Sequence, residues 1–153
     1  HTQRRRQRQM CIRDRWGLNV PHPQGVHKNV LVMDYMGSEN SPSPKLRDVD
    51  IEHPREVYDD LLRFLAVSWQ KAKLVHGDFS PYNILWHEGR ACVIDVGQAV
   101  VDSHPKAQEF LVRDVTRLVE WGQKNGLDVD LADAMYDVLN MDLTDVEQVE
   151  LLE

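Results

Sequence analysis

Three polar side chains that could act on a phosphate stand in an otherwise apolar stretch: Asp78, Asn83 and Asp95. Asp78 and Asn83 belong to a predicted loop that Pro81 keeps from becoming a helix. Mg²⁺ prefers oxygen ligands, usually one or two carboxylates together with substrate phosphates. Phosphoryl transfer from ATP depends mainly on positioning and charge neutralisation, with a carboxylate facing the attacking group. The set therefore predicts Mg-ATP chemistry; the simpler alternative is that Asp78 and Asn83 only serve turns at strand ends.

Short apolar runs bounded by turn residues predict the strands that would position these side chains. Residues 74–75 precede the loop and residues 84–86 follow it, as expected for buried strands. Residues 87–90 predict a hairpin turn, and residues 91–94 predict the returning strand, which places Asp95 at its end. This arrangement would bring two carboxylates and one carboxamide to one edge of a small sheet.

The wider pattern resembles one family. The segments that carry the resemblance are His-Gly-Asp-Phe-Ser-Pro-Tyr-Asn-Ile-Leu (76–85), Ile-Asp-Val-Gly-Gln-Ala-Val (94–100), His-Pro (104–105), Phe-Leu (110–111) and Arg-Asp (113–114). From about residue 20 to about residue 121 the chain resembles the RIO-type atypical serine/threonine protein kinases, the first, archaeal-like type most closely. Ser80 stands where ordinary protein kinases carry Lys, and no Ala-Pro-Glu segment follows, both as in the RIO pattern. Gly97 and Pro81 replace the Ser and Glu that are common in the family.

The resemblance implies an α+β, protein-kinase-like fold and the cofactors ATP and Mg²⁺. Asp78 would accept the proton or orient the attacking group, and Asn83 and Asp95 would hold the metal. Ser80 would lie with Asn83 in the nucleotide site. In this family the metal-binding Asp can itself be phosphorylated, so Asp95 is also a candidate nucleophile that would form an aspartyl-phosphate.

The hinge between the two kinase lobes is expected near residue 34. Residues 26–36 predict two short strands with a turn near Lys28-Asn29. The resemblance places Met33 at the gatekeeper position beside adenine, and it implies that the backbones of Asp34 and Met36 hydrogen-bond the adenine edge. A plain edge strand with one apolar face is the alternative.

Helical periodicity dominates the remainder of the chain. A helix is predicted from about Pro54, and its apolar stripe should pack beneath the catalytic loop. A second helix is predicted to run from about Pro105 to a C-cap at Asn125-Gly126. A third is predicted over residues 128–140, and Thr144 with Glu147 predicts a last short helix through capping-box spacing. Residues 37–153 would thus form the C-terminal lobe, and residues 16–36 the remnant of the N-terminal lobe with the hinge.

Charge is unevenly distributed along this chain of 153 residues, whose net charge is −7. Residues 1–15 hold six Arg and one Asp, which gives them a net charge of +5 and leaves −12 on the rest. An RNA-binding arm is one interpretation of such a start. The segment looks more like translated sequencing-adapter read-through, so we expect residues 1–15 to be non-native or a disordered basic tail.

A glycine-rich strand, a strand Lys and a helix Glu are expected ahead of a kinase hinge, and none precedes residue 34. The chain is therefore expected to be truncated in the N-terminal lobe, with weak ATP binding and poor turnover. A small-molecule phosphotransferase of the aminoglycoside or choline type and a non-catalytic kinase-fold scaffold remain alternatives.

The family setting implies maturation of the small ribosomal subunit, with a pre-ribosomal particle and its RNA as possible partners and ATP hydrolysis alongside protein phosphorylation. The protein substrate is not indicated. No apolar run reaches the roughly 20 residues that span a bilayer, no secretory signal is visible, and the two Cys residues do not form a disulfide framework. A cytoplasmic location without membrane contact is expected.

Overall fold

The computed structural model describes residues 2–28 and 30–149. Helices α1 to α4 are Thr2–Arg15, Pro54–Gln70, Ala107–Lys124 and Leu131–Asn140, and a short 3₁₀ helix spans Leu46–Asp48. Strands β1 to β6 are Pro23–His27, Val30–Met33, Leu74–Val75, Ile84–His87, Arg90–Val93 and Val100–Val101. None of the helices in these ranges is long and apolar enough to cross a membrane.

The strands form three antiparallel pairs, β1 with β2, β4 with β5, and β3 with β6. The β4–β5 hairpin pairs Ile84 with Val93 and His87 with Arg90, as the apolar runs predict. The β1–β2 pair likewise matches the two strands predicted before the hinge. Lys28 of the predicted turn has a φ of 51°, whereas Asn29 lies outside the described residues.

Helix α2 forms the centre of the core, because its apolar stripe packs against both α3 and α4. Leu61 and Leu65 of α2 are buried among Val115 of α3 and Val138 of α4. The Phe64 ring lies 5.8 Å, between centroids, from the ring of Phe79 in the loop after β3. The helix therefore packs beneath the loop after β3, as predicted.

The first segment differs from the disordered tail expected from the sequence, because Thr2–Arg15 is helical. Arg and Gln are good helix formers, and tertiary contacts add to this preference. The side chains of Arg5 and Gln9 donate to the carbonyl of Ala99, at 2.8 Å and 3.1 Å. Met10 is buried against Val96 and Ala99.

Helix α1 carries a buried arginine, Arg13. Its side chain is fully buried, and within the described residues its three guanidinium nitrogens have no hydrogen-bond partner. Burial lowers the pKa of Arg13 to about 10, while the carboxylate of Asp114 acts in the opposite direction. A buried guanidinium without hydrogen-bond partners is costly, even with a carboxylate nearby. The non-native origin of residues 1–15 and the domain boundaries stay predictions.

The last two predicted helices differ from the structure, because one begins later than expected and the other does not form among the described residues. Helix α4 begins at Leu131, three residues later than expected, because the Asp130 side chain accepts from the Asp133 amide at 2.9 Å and caps it. The short helix predicted from Thr144 is absent among residues through 149. The Asp142 carboxylate accepts from the Thr144 amide at 3.0 Å, which makes a local turn instead. Beyond it, the Val149 amide donates to the Arg15 carbonyl.

Candidate active site

The loop between β3 and β4 begins with a buried histidine whose ring makes two hydrogen bonds. Nε2 of His76 lies 2.8 Å from the Ile94 carbonyl oxygen, so it carries the proton and donates. Nδ1 then accepts from the amide of Asp78 at 3.1 Å. His76 thus ties the loop to the strand after β5, and it does so as a neutral imidazole.

We predict that His76 stays neutral in the folded chain well below pH 6. Burial, and after it the nearby Arg13 guanidinium, lowers the pKa of His76 to about 4. In the unfolded chain its pKa should be about 6.5, so the unfolded chain binds more protons between these values. The contribution of His76 to the free energy of unfolding is therefore complete above about pH 6.5 and is lost as pH falls towards 4.

Ring carbon and proton shifts measured by NMR between pH 3.5 and 8 check this expectation. The same histidine in the urea-unfolded chain is the control. A folded-state midpoint near 6.5 would contradict the buried, neutral tautomer.

Gly77 is the next residue of the loop, and its conformation excludes other side chains. Its φ is +84°, and a Cβ there would lie 2.7 Å from the Gln98 carbonyl oxygen. We expect Gly77→Ala to lower the free energy of unfolding by about 1–3 kcal/mol, since left-handed strain and a backbone clash add together. Urea unfolding measures the change. Gly89→Ala is the matched control, because that residue also has a positive φ but has open space around it.

Asp114 of α3 anchors the loop from below. It is 0% exposed, and its two oxygens accept from the amides of Gly77, at 2.8 Å, and Phe79, at 3.1 Å. The neighbouring Arg113 donates to the Gly77 carbonyl. Burial raises the pKa of Asp114 to about 6, although those two amides and the guanidinium groups of Arg113 and Arg117 lower it. The backbone before and after Asp78 is therefore held at two points.

Asp78 itself has both oxygens engaged. The side-chain nitrogen of Asn83 donates to Asp78 Oδ2 and to the Asp78 carbonyl, each at 2.9 Å. Arg117 of α3 donates from Nη1 to Asp78 Oδ1 at 2.5 Å. The carboxylate is thus fixed in orientation, and among the described residues the amide oxygen of Asn83 has no hydrogen-bond partner. Ser80 lines the same cavity as Asp78 and Asn83.

Asp95 follows β5 at the end of the hairpin that also carries Asn83. The Ile94 amide donates to the Asn83 carbonyl at 2.9 Å, which sets the two residues side by side along the backbone. Asp95 is exposed, has a φ of +58°, and accepts from the Gly97 amide at 3.1 Å through Oδ1. A left-handed, non-glycine residue of this kind is typical of functional sites.

The donor set is compatible with Mg²⁺ bound together with a nucleotide. No cluster of three or more His, Cys, Asp or Glu side chains that could cage an ion occurs in the described part of the chain. Magnesium bound with a nucleotide does not need such a cage, since phosphates and water fill most of its octahedron. The exposed carboxylate of Asp95 and the amide oxygen of Asn83 fit that chemistry.

The predicted hinge residues lie at the end of β2. Met33 lines a cavity of about 230 Å³ that Asp95 also lines. The amide of Asp34 donates to the His22 carbonyl, and the Met36 carbonyl accepts from the Ser43 amide, each at 2.9 Å. In the described residues this leaves the carbonyl of Asp34 and the amide of Met36 available for a ligand. Their contact with adenine stays a prediction.

A family model described as the RIO domain matches residues 2–134. The chain belongs to the RIO domain family. The resemblance drawn from the catalytic-loop residues is therefore confirmed. The match also includes helix α1.

Two archaeal relatives of this RIO domain chain are described as RIO-type serine/threonine-protein kinase Rio1. The Haloferax volcanii protein is 38% identical over 128 residues, which are 84% of this chain and 43% of that protein. The Thermoplasma acidophilum protein is 39% identical over 111 residues, which are 72% of this chain and 58% of that protein. The chain thus spans about half the length of these relatives.

Solved structures confirm the fold of the RIO domain chain. The Rio2 kinase from Chaetomium thermophilum superposes with a TM-score of 0.72 at 22% identity, over 93% of this chain and 46% of that one. The Rio2 kinase–ADP/Mg²⁺–phosphoaspartate complex from the same organism gives a TM-score of 0.71 at 21% identity, over 93% and 45%. The predicted protein-kinase-like α+β fold is correct.

Two residues of this RIO domain site were not identified as functional from the sequence. Asp114 contributed to the resemblance, but its anchoring role did not follow from that. An Asp on the otherwise apolar face of a predicted helix, between Leu111 and Leu118, was the signal that could have found it. Arg117 offered no signal, since an Arg on a helix is ordinary.

Proposed function

We propose that the protein containing this chain is an ATP- and Mg-dependent serine/threonine protein kinase and ATPase of RIO type. The observation that carries the proposal is the oriented carboxylate of Asp78, hydrogen-bonded by Asn83 on a loop that Asp114 anchors. Asp95 on the adjoining hairpin supplies the second carboxylate. Phosphoryl transfer is catalysed mainly by preorganised groups of this kind.

In the direct route, Asp78 orients the hydroxyl of a Ser or Thr acceptor and takes its proton as the phosphoryl group is transferred. Asn83 and Asp95 hold Mg²⁺ through their side-chain oxygens, and Ser80 lies against the nucleotide. Bound Mg²⁺ supplies charge neutralisation on the phosphates. The Asp34 carbonyl and the Met36 amide bind the adenine edge, with Met33 beside the ring.

In the ATPase route, Asp95 is the nucleophile. One carboxylate oxygen forms a bond to the γ-phosphorus, and the bond from that phosphorus to the bridging oxygen of ADP breaks. Water then attacks the aspartyl-phosphate, Asp78 takes a proton from this water, and phosphate leaves while the Asp95 carboxylate is restored. The phosphoaspartate named in the Chaetomium thermophilum Rio2 kinase complex supports this route.

The cellular role that we propose is maturation of the small ribosomal subunit in the cytoplasm. The support is membership of the RIO domain family. A pre-ribosomal particle would be the partner, with ATP hydrolysis timing a conformational change. The net charge of −7 does not favour extensive RNA contact by this part of the protein, because phosphate binding uses Lys and Arg.

A binding experiment tests the proposed site without requiring turnover. Mn²⁺ is added in place of Mg²⁺, together with ATP, to ¹⁵N-labelled chain, and paramagnetic broadening is followed by NMR. We expect weak binding and selective broadening of the Asn83 side-chain amide and the Asp95 backbone amide. Uniform broadening, or none at saturating nucleotide, would contradict the assignment.

Turnover by this chain should fall far below the roughly 1–100 s⁻¹ typical of kinases. The reason is that the phosphate-covering parts of a kinase are not among residues 16–153. Release of labelled phosphate from ATP measures the rate. Robust Mg-ATP turnover by residues 16–153 would refute this expectation.

A further inference from the structure

A cavity of about 830 Å³ opens beside Asp78, on the side lined by α3 and the 3₁₀ helix. Asp78, Ser80 and Asn83 line it together with Arg117, Lys124 and Arg47. Arg117 and Lys124 are seven residues apart on α3, a spacing that puts them on one helix face. Arg47 stacks on Tyr82, with the guanidinium carbon 4.2 Å from the ring centroid. Three cationic side chains thus surround the approach to Asp78.

Arg117 binds one oxygen of the carboxylate that the proposed reaction needs. It occupies Oδ1 of Asp78, while Asn83 occupies Oδ2. Each carboxylate oxygen can accept a second hydrogen bond, but a hydroxyl that approaches Oδ1 for proton transfer competes with the guanidinium for that oxygen. Both members of the ion pair are about one-third exposed, with side-chain exposures of 36% for Arg117 and 35% for Asp78. Such a pair contributes little net stability and opens at low cost.

The guanidinium group needs a new partner once it leaves Asp78. Arginine prefers bidentate pairing with a carboxylate. The cavity lining holds equal numbers of carboxylates and cations, namely Asp50, Asp78 and Glu120 against Arg47, Arg117 and Lys124. Arg47 also pairs with Asp48 at 3.1 Å. Once Asp78 accepts the proton of the acceptor hydroxyl it loses its charge, and an acidic group carried by the incoming segment would then pair with the guanidinium of Arg117 and restore the balance.

We propose that Arg117 is a positioning residue that releases Asp78 when the phosphoacceptor is a peptide with a carboxylate beside its Ser or Thr. This inference rests on the proposed kinase function and names the class of its acceptor. Arg47 and Lys124 hold the acidic peptide on either side. The few local cations on a chain of net charge −7 suit a short acidic peptide better than a long polyanion such as RNA.

Peptide binding to the chain of residues 1–153 tests the proposal in the absence of nucleotide. Two peptides of equal length carry one Ser, flanked either by Asp or by Asn. Each is titrated into ¹⁵N-labelled chain while the Asn83 side-chain amide and the Arg117 guanidinium are followed by NMR. We expect the Asp peptide to bind about 10-fold more tightly, as one charge-assisted pair allows.

Matched variants separate this role from a structural one. Arg117→Gln should abolish the difference between the two peptides, and Arg117→Lys should restore part of it. Arg63→Gln is the control, because it removes an exposed Arg–Asp pair of 3.2 Å at a residue that lines a different cavity; it should leave the 10-fold ratio intact. Urea unfolding of each variant verifies that the fold is retained.

Equal affinity for the two peptides would overturn the proposal, as would an unchanged ratio in Arg117→Gln. A phosphoserine peptide that binds while the Asp peptide does not would overturn the carboxylate assignment. A single-stranded RNA oligonucleotide that binds more tightly than the Asp peptide would overturn the choice of a peptide. The Mn²⁺–ATP titration is read separately, so failure of the proposed function can be told from failure of this inference.

Discussion

Replacing Asp95 by Asn is expected to abolish covalent labelling of the chain by the γ-phosphate of ATP. An amide is not a nucleophile for this step, whereas the exposed Asp95 carboxylate can form an acyl phosphate. The measurement is a single-turnover reaction with the chain in excess over γ-labelled ATP. The labelled protein is then treated with hydroxylamine, which cleaves acyl phosphates but leaves phosphoserine intact.

Asp78→Asn is the matched control for this experiment. It changes one carboxylate to an amide on the same site, but it removes the proton acceptor and not the nucleophile. We expect the hydroxylamine-sensitive label to form and then to decay about 10²–10⁴-fold more slowly. Undiminished label in Asp95→Asn would refute the aspartyl-phosphate, and loss of label in Asp78→Asn alone would exchange the two roles.

Replacing Asp114 by Ala is expected to cause the largest loss of stability of any substitution at the site. The change leaves the buried amides of Gly77 and Phe79 without acceptors. Each unsatisfied buried donor costs about 1–3 kcal/mol, so the free energy of unfolding should fall by about 2–6 kcal/mol. This is a large share of the roughly 5–15 kcal/mol that a domain has. Urea unfolding followed by circular dichroism gives the value.

Asp114→Asn serves as the conservative comparison, because it keeps one acceptor oxygen and should lose less stability.

The pH dependence of the free energy of unfolding gives a second test of Asp114. The pKa of Asp114 is raised from 3.8 to about 6, so its burial becomes less favourable as pH rises through that window. His76 acts in the opposite direction between about 4 and 6.5, and the two contributions nearly cancel.

The Asp114→Asn variant keeps the contribution of His76 to the pH dependence of the free energy of unfolding, but it loses that of Asp114. Stability should then rise with pH near pH 5 by up to about 1.4 kcal/mol per pH unit relative to the wild-type curve. Parallel curves for the two proteins would show that the carboxyl group of Asp114 titrates at its ordinary value.

Local sequence patterns predicted most of the helix ends and strands that the structure shows. Pro54 marks the start of α2, Gly126 follows the end of α3 with a φ of 82°, and the β4–β5 hairpin has the predicted strands. Such features depend on neighbours a few residues apart, and this is why spacing and residue type predict them. The prediction of a short helix at Thr144 was wrong, because the Asp142 carboxylate accepts from the Thr144 amide and makes a turn instead.

The sequence by itself determined the family, the kinase-like fold and the order of Asp78, Asn83 and Asp95 along the chain. Only the tertiary structure decided which side chains meet these residues. The bonds from Asp114 and Arg117 to the loop between β3 and β4 join residues 35 to 39 positions apart. No periodicity encodes such contacts, because they arise when α3 packs beneath the loop. The buried Arg13 and the helix that carries it were decided in the same way, by contacts with the chain after β5.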